Sequence, residues 1–501
     1  MIRSIAFVSA LCIAISAHTY GEPSKRTLKP RVRVTDLNIG EVTELTLCDD
    51  SVAKVKVIDL QETRDNVCFA VRRAEVTVEV NGERVKLVSA TYHRPVTVGS
   101  VQIDCPITKG YNSNGEPGFW SLDKDVRLRL WPANSPLVAP DTFVYPVRQR
   151  WFASYTQMAN VPVFVDGGER PGKRRIYYHS GLDIGGSEGM VEVVAATDAL
   201  VVSAGSVVLE GHKKDTPLNP RYDVVYLLDS RGWYYRYSHL KEIDKTIVPG
   251  RTIKMGDRVG WLGKEGGSGG WSHLHFEIKS RQPSGRWGTQ EGYAFLWEAY
   301  QRQHKRRILA VARPHHLIWA GDTVVLDASN SWSTTGRIDK YSWHFHDDTH
   351  AEGIRVKRRY DKPGVYSEVL KITGNDRLVD YDFAVVQVLD PKHPDRLPPT
   401  IHPNYFPTFG IKPGDEVTFK VRTFRTTDGQ ETWDFGDGSP PVKVQSDGNA
   451  VKLAPDGYAV TTHRYRKPGH YIVRVERSNR IGQTAIGHLY VHVVNPALVD
   501  P

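Results

Sequence analysis

Cysteine and methionine are both scarce, with four of each in 501 residues. The cysteines, at positions 12, 48, 68 and 105, are too few and too widely spaced for a disulfide-dense scaffold or a Cys/His finger. No apolar run reaches the roughly 20 residues that a membrane-spanning helix needs, so no transmembrane anchor is expected. The His-Glu-x-x-His motif, which gives many zinc peptidases two ligands and a base, is missing. No basic helix or aromatic RNA-binding motif accompanies the surplus of 66 Lys+Arg over 57 Asp+Glu. The formal charge of +9 therefore points to anionic surroundings such as a cell wall or acidic polysaccharide, with no nucleic-acid partner.

What is present begins with an export signal. Met1-Ile2-Arg3, the apolar run Ser4 to Ala17 and the polar Glu22-Pro23-Ser24-Lys25 read as a secretory signal peptide over residues 1–21. The expected localisation is secreted, periplasmic or cell-envelope. Cys12 lies inside the apolar run after Leu11, a poor lipidation site. Export leaves Cys48, Cys68 and Cys105 in oxidising surroundings, where one disulfide is expected, its pairing open and one thiol left over.

A chain of 501 residues is too long for one core and divides into about three to four domains. Residues 22–135 carry short alternating strands and the hairpin signal Asn81-Gly82, with a further turn at Asn114-Gly115, and predict a small β accessory domain. Residues 136–304 hold strand patterns such as Leu200–Ser203, Trp233–His239 and His273–Lys279, then a short helix from Tyr293 to about His304. That combination predicts an antiparallel β-sheet domain. Residues 305–390 and 398–496 repeat one another, each with a Gly-Asp strand start, a Trp-x-Phe turn and a Tyr-x-x-Pro-Gly turn. Two β-sandwiches are expected, with the proline-rich Pro391–Pro399 as a stiff linker. The fold class is mainly β and multidomain.

Chemistry concentrates in the second segment. In Trp271-Ser272-His273-Leu274-His275-Phe276-Glu277-Ile278 the strand period puts His273, His275 and Glu277 on one face. Two imidazoles start a zinc site, and catalytic zinc takes three protein ligands with one position left open. His179 and Asp183, four apart, supply the remainder, and Tyr237-x-His239 adds another histidine in an aromatic strand.

In this order, His179-x-x-x-Asp183, Tyr237-x-His239-Leu240 and His273-Leu274-His275-Phe276-Glu277 resemble the lysostaphin/LytM-type zinc metallopeptidases over about 150 residues. The resemblance implies that His179, Asp183 and His275 ligate Zn²⁺. It also implies that His239 and His273 polarise the water and stabilise the transition state. It further implies a metalloendopeptidase that hydrolyses peptide bonds in peptidoglycan stems or cross-bridges through zinc-activated water. Glu277 reads as a supporting carboxylate. Where the family runs Gly-Pro into its His-Leu-His strand, this chain has Trp271-Ser272, which bears on substrate preference at the cleft edge. The repeats resemble PKD domains, immunoglobulin-like modules with a Trp-x-Phe-Gly-Asp-Gly signature. Trp433–Gly438 matches it, whereas the first copy has His346 and Asp348 in place of the glycines. That likeness implies binding of polysaccharide or protein, or spacing, rather than catalysis.

Two further readings belong beside this one. The same chemistry could act on glycine-rich extracellular proteins of elastin type, or a dead peptidase fold could serve as a wall-binding or regulatory protein. Gly266-Gly267-Ser268-Gly269-Gly270 formally fits a serine-nucleophile elbow, but a strand follows it where that motif needs a helix. His344, His346, Asp347, Asp348 and His350 form a second metal-capable group, expected to be an ordinary sandwich turn.

Overall fold

A computed structural model of the protein describes residues 28–89, 91–112, 119–164, 176–375 and 377–495. The signal-peptide segment, Cys12 and the Asn114-Gly115 turn lie outside the described residues. The protein is mainly β throughout.

Two four-stranded antiparallel sheets make the N-terminal part. One runs Val42–Thr46, Val52–Arg64, Val71–Val80, Glu83–Val88; the other runs Arg33–Leu37, Val126–Pro132, Val101–Thr108, Val96–Val98. Strict alternation puts Val76, Val78 and Val80 inward, where they meet Val55, Ile103 and Leu128 in one core. Asn81 and Gly82 both take positive φ (50° and 89°) between paired Val80 and Glu83, the two-residue turn the sequence predicts. One of these strands, Val71–Val80, runs for ten residues without a break.

The expected disulfide does not form, and Cys48, Cys68 and Cys105 are all free thiols. The reason is topological, because Cys105 points into the core between the two sheets while Cys68 belongs to a separate cluster beside Asp65. Burial pushes the Cys68 thiol up to about 11 and the Cys105 thiol up to about 12. Neither is a reactive thiolate at neutral pH.

The central domain is built on a nine-stranded antiparallel sheet. Its main path is Val207–Val208, Ala199–Ala204, Val225–Asp229, Tyr234–Ser238, His273–Arg281, Leu182–Gly185 and Thr156–Gln157. The apolar face of its central strand decides the rest. Leu274, Phe276 and Ile278 sink into a core with Tyr235, Tyr237 and the helix Tyr293–His304, whose Phe295 stacks on Trp233. Each of these three buries essentially all its side chain, contributing about 1.5–3 kcal/mol apiece. His273, His275 and Glu277 are thereby forced to the opposite face. Lys305 in the left-handed region ends the helix, its N–H donating to Gln301 O.

Two β-sandwiches follow, centred on the buried Trp343 and Trp433. They are joined edge to edge. Val365 pairs in parallel with Ala485, so strands of both form one nine-stranded sheet. In the second copy Gly436 needs its φ of 74°, and a Cβ there would meet Ile472 O at 2.4 Å. In the first copy Asp348 keeps a left-handed φ of 64° where the signature has its second glycine, a conformation Asp tolerates. His346 replaces the first glycine and ties the turn to Glu368 by ring and backbone, each at 2.8 Å.

Candidate functional site

Register brings the first two residues together. Leu182–Gly185 pairs antiparallel with His273–Arg281 so that Asp183 sits opposite His275, and Ser238 sits opposite His275 on the other side. Directly opposed residues hold their Cβ atoms about 4.5–5.5 Å apart on one face. His179 enters from the end of the Ile176–Tyr178 strand. The three donor atoms form a tight triangle: His275 Nδ1 to Asp183 Oδ1 is 2.8 Å, His179 Nε2 to Asp183 Oδ1 3.1 Å, and His179 Nε2 to His275 Nδ1 3.1 Å.

Two imidazole nitrogens and a carboxylate, all buried and aimed at one point, suit a divalent ion. Tetrahedral zinc with ligand bonds of about 2.0–2.1 Å spaces its ligand atoms about 3.3 Å apart, close to the triangle seen. Electrostatics agree with that donor set. Burial opposes the charge on Asp183, yet His179 and His273 hold its carboxyl well below the usual range. His275 is desolvated too, but hydrogen bonds with Asp183 and Glu277 raise it.

His239 and His273 stand beside the triangle, rings 4.6 Å apart. Each commits Nδ1–H to a backbone carbonyl, His239 to Glu265 O at 2.7 Å and His273 to Trp271 O at 3.0 Å. That fixes the tautomer and leaves both Nε2 lone pairs for a proton. His273 Nε2 lies 3.5 Å from Asp183 Oδ2, on the same side as the ligand atoms. Burial pulls both rings below the ordinary histidine value, so both are neutral bases. His239 holds a left-handed φ of 68°, a strained conformation fixed by its N–H donating to Asp223 Oδ2 at 2.9 Å. Asp223 itself is clasped by Arg221. Glu277, also buried, accepts from Ser180, Thr289 and Lys279 and lies 3.8 Å from His275 Nε2.

These residues open into a cavity of about 1030 Å³ whose walls come from the whole molecule. Cys68 and Arg72 line it from the N-terminal part, His315 and Phe383 from the first sandwich, and His402 and Lys452 from the second. Trp271 also lines it and stacks on His273 at 3.8 Å. The second sandwich grips this segment: Ser272 N–H donates to Tyr458 OH at 2.7 Å, and Tyr458 meets His402 Nδ1 at 2.7 Å. His402 Nε2 in turn contacts Ser154 Oγ at 2.8 Å, and Arg422 donates to Gly270 O at 2.6 Å. The glycine loop is thus pinned from another domain. Ser268 spends its hydroxyl on Lys264 O inside that loop, which leads into a strand.

Sequence reasoning missed Asp223, Tyr458, His402 and Arg236, a further cavity residue. Arg236 alone had a usable cue, since the strand period puts it on one face with Ser238.

Comparison with known proteins agrees with this organisation. Residues 177–286 match the family described as Peptidase family M23, and residues 308–388 and 405–487 each match a PKD domain. Among solved structures, Helicobacter pylori Csd3 is 13% identical over 53% of this chain and 82% of that chain, with a TM-score of 0.21. The fibronectin(III)-like modules of Clostridium thermocellum CbhA are 10% identical over 39% of this chain and 97% of that one, with a TM-score of 0.15. Likenesses this slight carry neither fold nor activity across. The chain carries a family M23 peptidase domain followed by two PKD domains, and the buried His-Asp-His triangle lies within the first of these.

Proposed function

We propose that this protein is a secreted zinc metalloendopeptidase acting on peptide bonds in peptidoglycan stem peptides or cross-bridges. The observation that carries the reading is the buried triangle of His179, Asp183 and His275 beside two neutral histidines. In this reading His179 Nε2, Asp183 Oδ1 and His275 Nδ1 hold the metal. When bound, zinc supplies Lewis acidity, lowering the pKa of water and polarising a carbonyl. The chain's own residues handle protons and position. An Nε2 of His239 or His273 accepts the proton of the attacking water, and the protonated ring donates to the developing oxyanion or leaving amine. Trp271 and the pinned glycine loop fix the His273 ring and leave the backbone open to an extended peptide. The net charge of +9 and the PKD domains favour an anionic wall polymer, with polysaccharide or protein as the ligand of the sandwiches.

The test pairs metal content with product analysis. Purified protein should hold one zinc per chain and release new amino termini from sacculi, and EDTA should stop the release. Cleavage of elastin but not sacculi would transfer the chemistry to glycine-rich extracellular proteins. Wall binding without zinc or cleavage would make the protein a non-catalytic binder.

A further inference from the structure

One cation in the cavity stands out by its open hydrogen-bond donors. Arg72 is paired with Asp65, Arg221 with Asp223 and Arg313 with Asp382, and Arg425 donates to Pro398 O. Arg236 also lines the cavity, on the strand Tyr234–Ser238, where it faces the same side as Ser238 and opposes Glu277. Its side chain is only 18% exposed. Yet its guanidinium makes no hydrogen bond among the described residues, and its Nε is buried without a partner. The nearest carboxylate, Glu277, pairs with its charge but leaves its hydrogen-bond donors open. Glu277 Oε1 is taken by Ser180, Thr289 and Lys279, and Oε2 stays 3.7 Å from Arg236 Nη1. A buried, unmet guanidinium is costly, and its planar fork matches a carboxylate in bidentate geometry.

Its distance from the triangle fixes where that carboxylate belongs. Glu277 Oε2 lies 3.8 Å from His275 Nε2 and 3.7 Å from Arg236 Nη1, so guanidinium and ligand ring flank one oxygen, while Nδ1 of that ring faces the triangle. An extended peptide rises about 3.3 Å per residue, which sets Arg236 within about three residues of the bond to be cut. We propose that Arg236 is a specificity-determining residue that receives a substrate carboxylate there, so that this site selects peptides carrying a free acid within a few residues of the scissile bond. The acid is either a side chain or a chain end, and the inference rests on the peptidase reading above.

The experiment uses the zinc-loaded full chain and short alanine–glycine peptides with both ends blocked. One set carries a single Glu at each position in turn, a second carries Gln instead, and a third carries Gln with a free C-terminal carboxylate. At one register the Glu or free-acid peptide should be cut about 10–100-fold faster in kcat/KM than its Gln amide, the yield of one charged bidentate contact. Arg236→Gln should bring that ratio to about one, and Arg236→Lys should retain part of it. The Glu arm identifies a side chain as the source and the free-end arm a terminus. A ratio near one in the wild type, or one unchanged by Arg236→Gln, overturns the proposal while leaving the peptidase reading intact. Calorimetric binding of the same peptides to EDTA-treated full chain needs no turnover. An Arg236-dependent preference for the acid there, with no cleavage by zinc-loaded protein, would sink the peptidase reading and keep the receptor.

Discussion

Two groups of histidines and carboxylates invite comparison. His344, His346, Asp347, Asp348 and His350 fall within seven consecutive residues, whereas His179, Asp183 and His275 are spread over nearly a hundred. In space the relation reverses. The distant three converge within 4.8 Å, the one such group among the described residues. The clustered five disperse: His344 and His350 are exposed, His346 bonds Glu368, Asp347 bonds Thr349 and Arg358, and Asp348 shapes the turn. His344 and His350 also pair in register across their turn, but no third ligand joins them among the described residues. A metal-binding point needs strand pairing together with a further ligand from another segment, not crowding in sequence.

Substitutions at the triangle should break that contrast most severely. His179→Ala, Asp183→Ala or His275→Ala is expected to take zinc per chain towards zero and peptide hydrolysis to the detection floor, measured together by metal analysis and product release. A variant that cleaves without metal would dissolve the distinction between the groups. Next come His239→Ala and His273→Ala. Both should keep zinc and lose about 10²–10⁴-fold in kcat, because they move protons rather than hold the ion. Loss of zinc in either variant would enlarge the ligand set.

Tyr458→Phe sharpens the comparison from outside the peptidase domain. It leaves the buried Ser272 N–H without its acceptor, costing about 1–3 kcal/mol. The expected result is a melting temperature lower by several degrees and a kcat down about tenfold at unchanged zinc content, through loosened stacking of Trp271 on His273. Unaltered kcat in a destabilised variant would reduce the second sandwich to a support. The smallest effects belong to the crowded group. Asp347→Ala removes a half-exposed ion pair with Arg358, remote from the triangle in sequence and pairing, and should leave zinc content and turnover within twofold of wild type.

Much of the peptidase domain was legible because strand alternation is local. Leu274, Phe276 and Ile278 had to face a core, so His273, His275 and Glu277 had to face away from it, and Asn81-Gly82 could close only a tight hairpin. The disulfide was misjudged for the opposite reason, since compartment and count say nothing of which cores Cys68 and Cys105 enter. Asp223, Tyr458, His402 and Arg236 carried little or no spacing cue because their partners come from other strands and other domains. The linker was read as a spacer, yet the sandwiches share a sheet through Val365 and Ala485.

Composition, period and motif order determined a mainly β chain with a peptidase domain, two PKD repeats and five candidate residues, because these depend on residue type and short-range geometry. Tertiary packing alone decided that Asp183 lies against His275, that Tyr458 holds the loop beside His273 and that Arg236 is left with unmet donors. Those are matters of register and of which surfaces meet, and they depend on the burial of cores far from the residues concerned.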